Sequence, residues 1–408
     1  MTAETDTPTS LSPKYRRHLV MVFALTNTIS FIAMIQILPV ILIPIATDLD
    51  VSRTAVAGAS TVSTLVGGLA ALPVGRILDR RGGRTLMATG SVIGAGSVLM
   101  WSQATDLMSL YVAFALIGLA LAMSTYESTF AVIVVATEAH QRNQAILTVT
   151  MIAGLSTYLV YPLLGWMNSE FGWCTTLIIL SAILVTTAVP GHLWAVPSRA
   201  AHRNRVRARS GTPFGAALRQ RRFWLLLIAF VAQAGSASAF LLLVIAYLLD
   251  QGHSVAVATS VPIAVGVLQI LSRLILTVAG TRLAITPVTS CAFAIQGFGL
   301  LLLPLAGLSI PLTLLCVAAV GLGQGVGVIA RPSILADNFG VTHFASVLAA
   351  ITIPTALARA GSPLLGAWLA DWRFLVVSGS LALIAAVALL PLIGVKSTAD
   401  SELVAARE

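Results

Sequence analysis

Few residues of this sequence are equipped for chemistry, because most of its length is apolar. Four ionisable side chains stand inside long hydrophobic runs: Glu127, within STYEST, and Arg273, Arg331 and Arg359. A charge in such a run is costly unless it faces a polar interior, so each is a functional candidate by default. Polar neighbours accompany them at helical spacing. Thr352, Thr355, Arg359 and Ser362 share one helical face, and Gly266, Gln269 and Arg273 share another. Asn27 and Gln233 add two uncharged amides. A guanidinium matches a carboxylate bidentately, and an embedded carboxyl group is suited to carrying a proton. The alternatives are a direct Glu127–Arg331 ion pair, and for Arg273 and Arg331 simple snorkelling to the nearer interface.

Other chemistries find no residues here. There is no lysine-bearing glycine loop for phosphate and no serine, histidine and acid set at one depth. His140, His202, His253 and His343 read as loop histidines without metal-ligand spacing. Cys174, Cys291 and Cys316 lie in or beside hydrophobic runs and read as packing residues. No enzyme activity, metal or cofactor is expected.

The elements that must position the charged residues follow from composition. Hydrophobic residues make up 57% of the chain and charged ones 10%, against about a quarter charged in soluble domains. Mean hydropathy is +0.94. Apolar runs long enough for a hydrocarbon core about 30 Å thick fall at 19–46, 54–76, 85–103, 108–136, 144–168 and 172–196. A second set falls at 223–249, 254–279, 286–307, 310–336, 344–369 and 372–395. The first run follows a polar start, contains Asn27 and Gln36 and shows no cleavage site, so it reads as a retained helix. Between the sets, 197–222 holds eight arginines and no acid. The expected organisation is therefore an N-terminal six-helix bundle (1–196), an Arg-rich cytoplasmic linker (197–222) and a C-terminal six-helix bundle (223–408). The fold class is an all-α membrane protein with twelve transmembrane helices.

Charge placement sets the topology. With the N-terminus inside, only Arg53 and Arg373 of the 24 basic residues fall in outward loops, and nineteen are cytoplasmic. Such a partition needs an even number of spans and puts both termini in the cytoplasm of a multi-pass plasma-membrane protein. It also explains the net charge of +9 as a topology signal and a patch for anionic lipid, with no nucleic-acid partner. The two sets look duplicated. YPLLGWMNSEFGW (161–173) matches SPLLGAWLADWRF (362–374) at an offset of 201 residues, with Ile152 paired to Ile353. Asn27 in NTIS has a loose counterpart in Gln233 of QAGS.

After the second span the sequence reads VGRILDRRGGR, with Gly75, Asp79, Arg80, Gly82, Gly83 and Arg84. This resembles the cytoplasmic signature between helices two and three of the major facilitator superfamily. The resemblance implies two pseudo-symmetric bundles, alternating access, and a gating loop whose Asp79 docks near the start of the eleventh helix. The matching second-half loop (278–287) keeps Gly280 and Arg282 but lacks the acid. Spans three, six and twelve carry almost no strongly polar interior residue, as the superfamily's outer supports do, whereas Gln296 in span nine departs from that pattern.

In that frame Arg359 becomes the hook for an anionic solute and Glu127 the proton carrier, or with Arg331 a cytoplasmic gate pair. The coupling ion expected is H+. YPLLGW (161–166) departs from the glycine-proline motif of drug/proton antiporters by replacing both flanking glycines with aromatics. The embedded arginines are more similar to bacterial monocarboxylate- or organic-anion-type carriers of the inner membrane. The expected function is secondary active transport of a small organic anion by a monomer. The alternatives are multidrug/proton antiport, a channel, or a non-transporting membrane sensor or scaffold.

Overall fold

The structure is a computed structural model that describes residues 12–207, 211–279, 284–369 and 372–394. Within lipid the backbone must satisfy its own hydrogen bonds, so apolar runs of this length form helices. Among the described residues there are twelve long ones. Helix α1 runs over Pro13–Phe31, passes through a π-turn at Ile32–Gln36 and continues as Leu38–Asp48. Helices α2 (Arg53–Arg81) and α3 (Gly83–Ser102) follow. Helix α4 is in two pieces, α4a (Leu107–Ser124) and α4b (Tyr126–Ala136). The stretch Ala139–Ala195 divides at Gly172, whose φ of 73° no helix adopts, into α5 (139–171) and α6 (173–195). Then come α7 (Arg221–Asp250), α8 (Val255–Ala279), α9 (Ile285–Leu302), α10 (Ile310–Phe339), α11 (Phe344–Leu369) and α12 (Arg373–Leu389).

Each of the twelve expected spans falls on a helix, with three local differences. The fourth span is broken at Thr125, whose ψ of −149° takes it out of the helix. The hydroxyls of Ser124 and Thr125 donate back to Ala120 and Leu121 carbonyls at 2.7 and 2.6 Å, a competition that bends helices. The first span is interrupted just before Pro39, which brings no N–H to the ladder. The Arg-rich linker contains two short helices, Arg199–Arg207 and Phe214–Arg219. His202 is therefore helical, as is His140 at the start of α5, rather than in loops. Gly280 and Arg282 lie outside the described residues.

The chain divides into two compact units. The first comprises Met1–Pro213 with Phe339–Ala349, and the second Phe214–Asn338 with Ala350–Glu408. The first unit is packed around Ile37, Trp101, Phe114 and Leu177, with Trp101 and Phe114 edge-to-face at 4.6 Å. Helices α2 and α4a touch backbone to backbone, since a Cβ on Gly118 would lie 2.2 Å from the Ser63 carbonyl oxygen. The second unit packs around Phe240, Val265, Leu300 and Phe374. Large apolar side chains remain on the outside, among them Trp194, Trp368 and Leu364. In a chain with so few charges that surface is suited to lipid, and the exposed tryptophans near helix ends suit its interfaces.

Candidate functional site

In the first unit the polar groups gather where α2 ends. The carboxylate of Asp79 accepts hydrogen bonds from the Ala345 N–H (3.0 Å), the Ser346 N–H (2.9 Å) and the Ser346 hydroxyl (2.6 Å). Those amides belong to the first turn of α11, where helix N–H groups have no partner within the helix. Asp79 thus caps α11 from a distance of 266 residues in sequence, and the helix dipole favours its negative charge there. Close approach makes the contact possible: a Cβ on Gly75 would sit 2.6 Å from the Ala345 carbonyl oxygen. Gly82 turns the chain with φ of 78°. Gly83 packs on Val132, and Arg84 Nε donates to the Val196 carbonyl at 2.7 Å. Arg80 is exposed. His202 of the linker helix lies against Gly82, with its Nε2 3.3 Å from the Asp79 carbonyl oxygen.

Glu127 stands beside this latch. The break at Thr125 puts it in the first turn of α4b, half-buried, on a small cavity walled by Val74, Gly75 and Leu78 of α2 and by Ala345 and Ala349 of α11. Glu127 and the Asp79 contact therefore border the same first turn of α11. Nearby on α4b, Tyr126 stacks on Phe130 at 5.1 Å. Asn27 of α1 is fully buried and donates from Nδ2 to the Phe23 carbonyl (2.8 Å) and the Thr129 hydroxyl (2.9 Å), tying α1 to α4b.

In the second unit the candidates fall into amide pairs. Gln233 of α7 donates to Gln296 Oε1 at 3.5 Å, and Gln296 Nε2 donates to the Ser236 hydroxyl at 3.2 Å. Gln296, without a role from sequence alone, is completely buried. It fits because α10 has a glycine opposite: a Cβ on Gly323 would meet Gln296 Oε1 at 2.2 Å. Gln269 of α8 donates to Gln324 Oε1 of α10 at 2.7 Å. Arg273, one turn beyond Gln269, is 8% exposed. Arg331 is half-buried on α10. Arg359 is exposed, and its backbone carbonyl accepts from the Ser238 hydroxyl at 2.8 Å.

Four residues of these constellations escape a reading of sequence. Ser346 and His202 contact Asp79 only through the fold. Gln324 hides in the glycine-rich stretch GLGQGVG. His192 is the exception in span six, which is expected to carry almost no strongly polar interior residue. It is fully buried, its Nδ1 is 2.9 Å from the Ser91 hydroxyl of α3, and its ring centroid is 6.3 Å from that of Phe23. Its one sequence signal is an imidazole within a long apolar run. Among the described residues no group of histidine, cysteine and acid side chains is placed to hold a metal.

Comparison with known proteins agrees with this architecture. The family model of the Major Facilitator Superfamily matches residues 22–287. A search of curated proteins returns no match. Among solved structures, the chain is similar to the human organic anion transporter MFSD10 (TETRAN), with a TM-score of 0.72 at 16% identity, covering 93% of this chain and 100% of that one. It is similar also to the proton:xylose symporter XylE, with a TM-score of 0.70 at 14% identity, covering 97% and 100%. The E. coli fucose:proton symporter FucP gives 0.68 at 14%, covering 92% and 97%. The chain belongs to the Major Facilitator Superfamily: it is a multi-pass membrane protein with the transporter fold of two six-helix halves.

Proposed function

We propose that this protein is a proton-coupled secondary transporter of a small organic anion, working by alternating access. The observation that carries the reading is the segregation of its embedded charges. Glu127 is the acid placed well inside a span, whereas the cations Arg273, Arg331 and Arg359 all stand on helices of the C-terminal half. Glu127 adjoins the unwound backbone at Thr125, and unwound backbone in a broken helix is a recurrent setting for coupling ions in transporters. A guanidinium recognises a carboxylate with two parallel hydrogen bonds. Glu127 then takes the proton and Arg359 the anion. Asp79, holding the first turn of α11, is a latch that lets go when the carrier changes state. The distribution of basic residues favours cytoplasmic termini. The relatives named above include both an organic anion transporter and proton symporters of sugars. The arginines favour the anion here.

A thermal-shift screen of the purified protein tests the substrate class, using small carboxylates, inorganic anions and cationic drugs at two pH values. Ligand binding raises the melting temperature by mass action. The reading expects a carboxylate among the stabilising compounds, with the shift lost in Arg359→Ala. Stabilisation by drugs alone would replace it with multidrug/proton antiport.

A further inference from the structure

Gln324 is built into the C-terminal half with its acceptor used and its donors idle. Its side chain is 8% exposed. Oε1 accepts from Gln269 Nε2 at 2.7 Å, so the amide group is turned with its NH2 on the other side. That Nε2 has no hydrogen-bond partner among the described residues. Buried polar atoms in folded proteins almost always have a partner, and two donors carried on one nitrogen call for an acceptor oxygen.

The surrounding packing holds this amide in place. Helices α8 and α10 approach through glycines. A Cβ on Gly325 would lie 1.9 Å from Ser272 Oγ and 2.3 Å from the Gln269 carbonyl oxygen, and one on Gly321 would lie 2.6 Å from Leu268 Cβ. The Ser272 hydroxyl donates to the Gln269 carbonyl at 2.9 Å, so the residue that orients Gln324 is itself pinned. A donor fixed in this way is preorganised for a ligand and loses little side-chain freedom when it binds. Arg273 follows Gln269 by four residues, which puts it on the same face of α8, and it too is 8% exposed. A positive charge on the face that carries the amide pair favours an anionic oxygen over a neutral one.

We propose that Gln324 is a solute-contacting residue: oriented by Gln269, its NH2 group donates to a carboxylate oxygen of the transported anion. This assignment rests on the organic-anion reading above and adds a second anchor, on α10, to Arg359 on α11.

The test uses the full chain, purified, with lactate, benzoate and succinate as probes and lactamide, benzamide and glycerol as neutral counterparts. Affinities are measured by titrated thermal shift for the wild type, Gln324→Glu and Gln324→Met. The glutamate keeps an acceptor for Gln269 but offers no donor. The methionine fills a similar volume without charge, and covers the case in which the glutamate variant does not fold. The expected result is at least a tenfold loss of carboxylate affinity in each folded variant, with the unliganded melting temperature of Gln324→Met within a few degrees of wild type. Carboxylate affinity within twofold of wild type in Gln324→Met overturns the subsite, assigns the idle donors to bound water and leaves the anion reading standing. A wild type that answers only to the neutral probes, or to none, overturns the anion reading and the carboxylate assignment together.

Discussion

In the N-terminal half Asn27 and Glu127 stand on interrupted helices, and in the C-terminal half the embedded amides and arginines stand on continuous ones. Helix α1 passes through a π-turn at Ile32–Gln36 and α4 breaks at Thr125. Their repeat partners α7 and α10 run unbroken over Arg221–Asp250 and Ile310–Phe339. The side chains differ in the same sense. The first unit holds carboxylates, Glu127 and Asp79, at a helix start and a helix end. The second holds guanidiniums and amides, of which Gln233 and Gln296 lie against Gly327 and Gly323 of α10. An interrupted helix has backbone groups and dihedrals available for rearrangement, which the continuous helices α7 and α10 lack. On the function proposed above, the two halves divide the work: proton and latch chemistry falls to the N-terminal half, and solute binding to the C-terminal half.

The largest effect that would break this comparison belongs to Asp79. Asp79→Ala leaves two backbone N–H groups of α11 and the Ser346 hydroxyl without their acceptor. A loss of about 3 kcal/mol follows for a charge-assisted cap of this kind, read as a lower melting temperature and faster proteolysis near residues 340–350. Asp79→Asn, which retains an acceptor oxygen, falls between the two. Wild-type stability in Asp79→Ala would remove the latch from the account.

A matched pair of glycine substitutions sharpens the contrast. In Gly118→Ala the new methyl group meets the Ser63 carbonyl, and in Gly325→Ala it meets Ser272 and the Gln269 carbonyl. Overpacking costs about 2 kcal/mol in either half, so both variants melt earlier by similar amounts. Only Gly325→Ala displaces the Gln269–Gln324 pair, so only that variant weakens carboxylate binding. Equal weakening in both would mean that the two halves do not divide the work.

The smallest effect is at a connection that serves neither task. Asp106 caps α4a, accepting from the Ser109 N–H at 2.7 Å. That bond, with the Ser109 hydroxyl, holds its carboxyl below the ordinary value of 3.8. A depressed carboxyl stabilises the folded state above its unfolded pKa, and the contribution disappears as pH falls through the folded value. Asp106→Ala therefore melts slightly earlier than wild type at neutral pH, and the gap closes in strong acid, with transport unchanged throughout.

Much of the scaffold was legible because lipid imposes simple lengths. Apolar runs located all twelve helices, and Gly172, the turn between α5 and α6, fell where the apolar run paused. The interruptions were not legible. Ser-Thr-Tyr-Glu-Ser is compatible with a continuous helix, and only the hydroxyls bonding back to Ala120 and Leu121 show why it breaks. Pro39 was the available hint for the π-turn. Asp79 could be singled out as one anion among cations, but its partner Ser346 could not, because the two are brought together by tertiary packing alone. Gln324 was masked by its glycines, which read as packing residues until the fold shows what they pack against. His192 was masked by a run of apolar neighbours. Which embedded charges meet is likewise a property of helix rotation, and residue spacing along one helix carries no information about the next.

The division of labour between the halves is tested most directly by flux in proteoliposomes. With a carboxylate chosen from the thermal-shift screen, counterflow exchange and uptake driven by an imposed pH gradient are measured for wild type, Glu127→Gln and Arg359→Ala. Glu127→Gln is expected to keep exchange and lose gradient-driven accumulation, while Arg359→Ala loses both. Gradient-driven uptake persisting at the wild-type rate in Glu127→Gln, or exchange intact in Arg359→Ala, would contradict the division of labour.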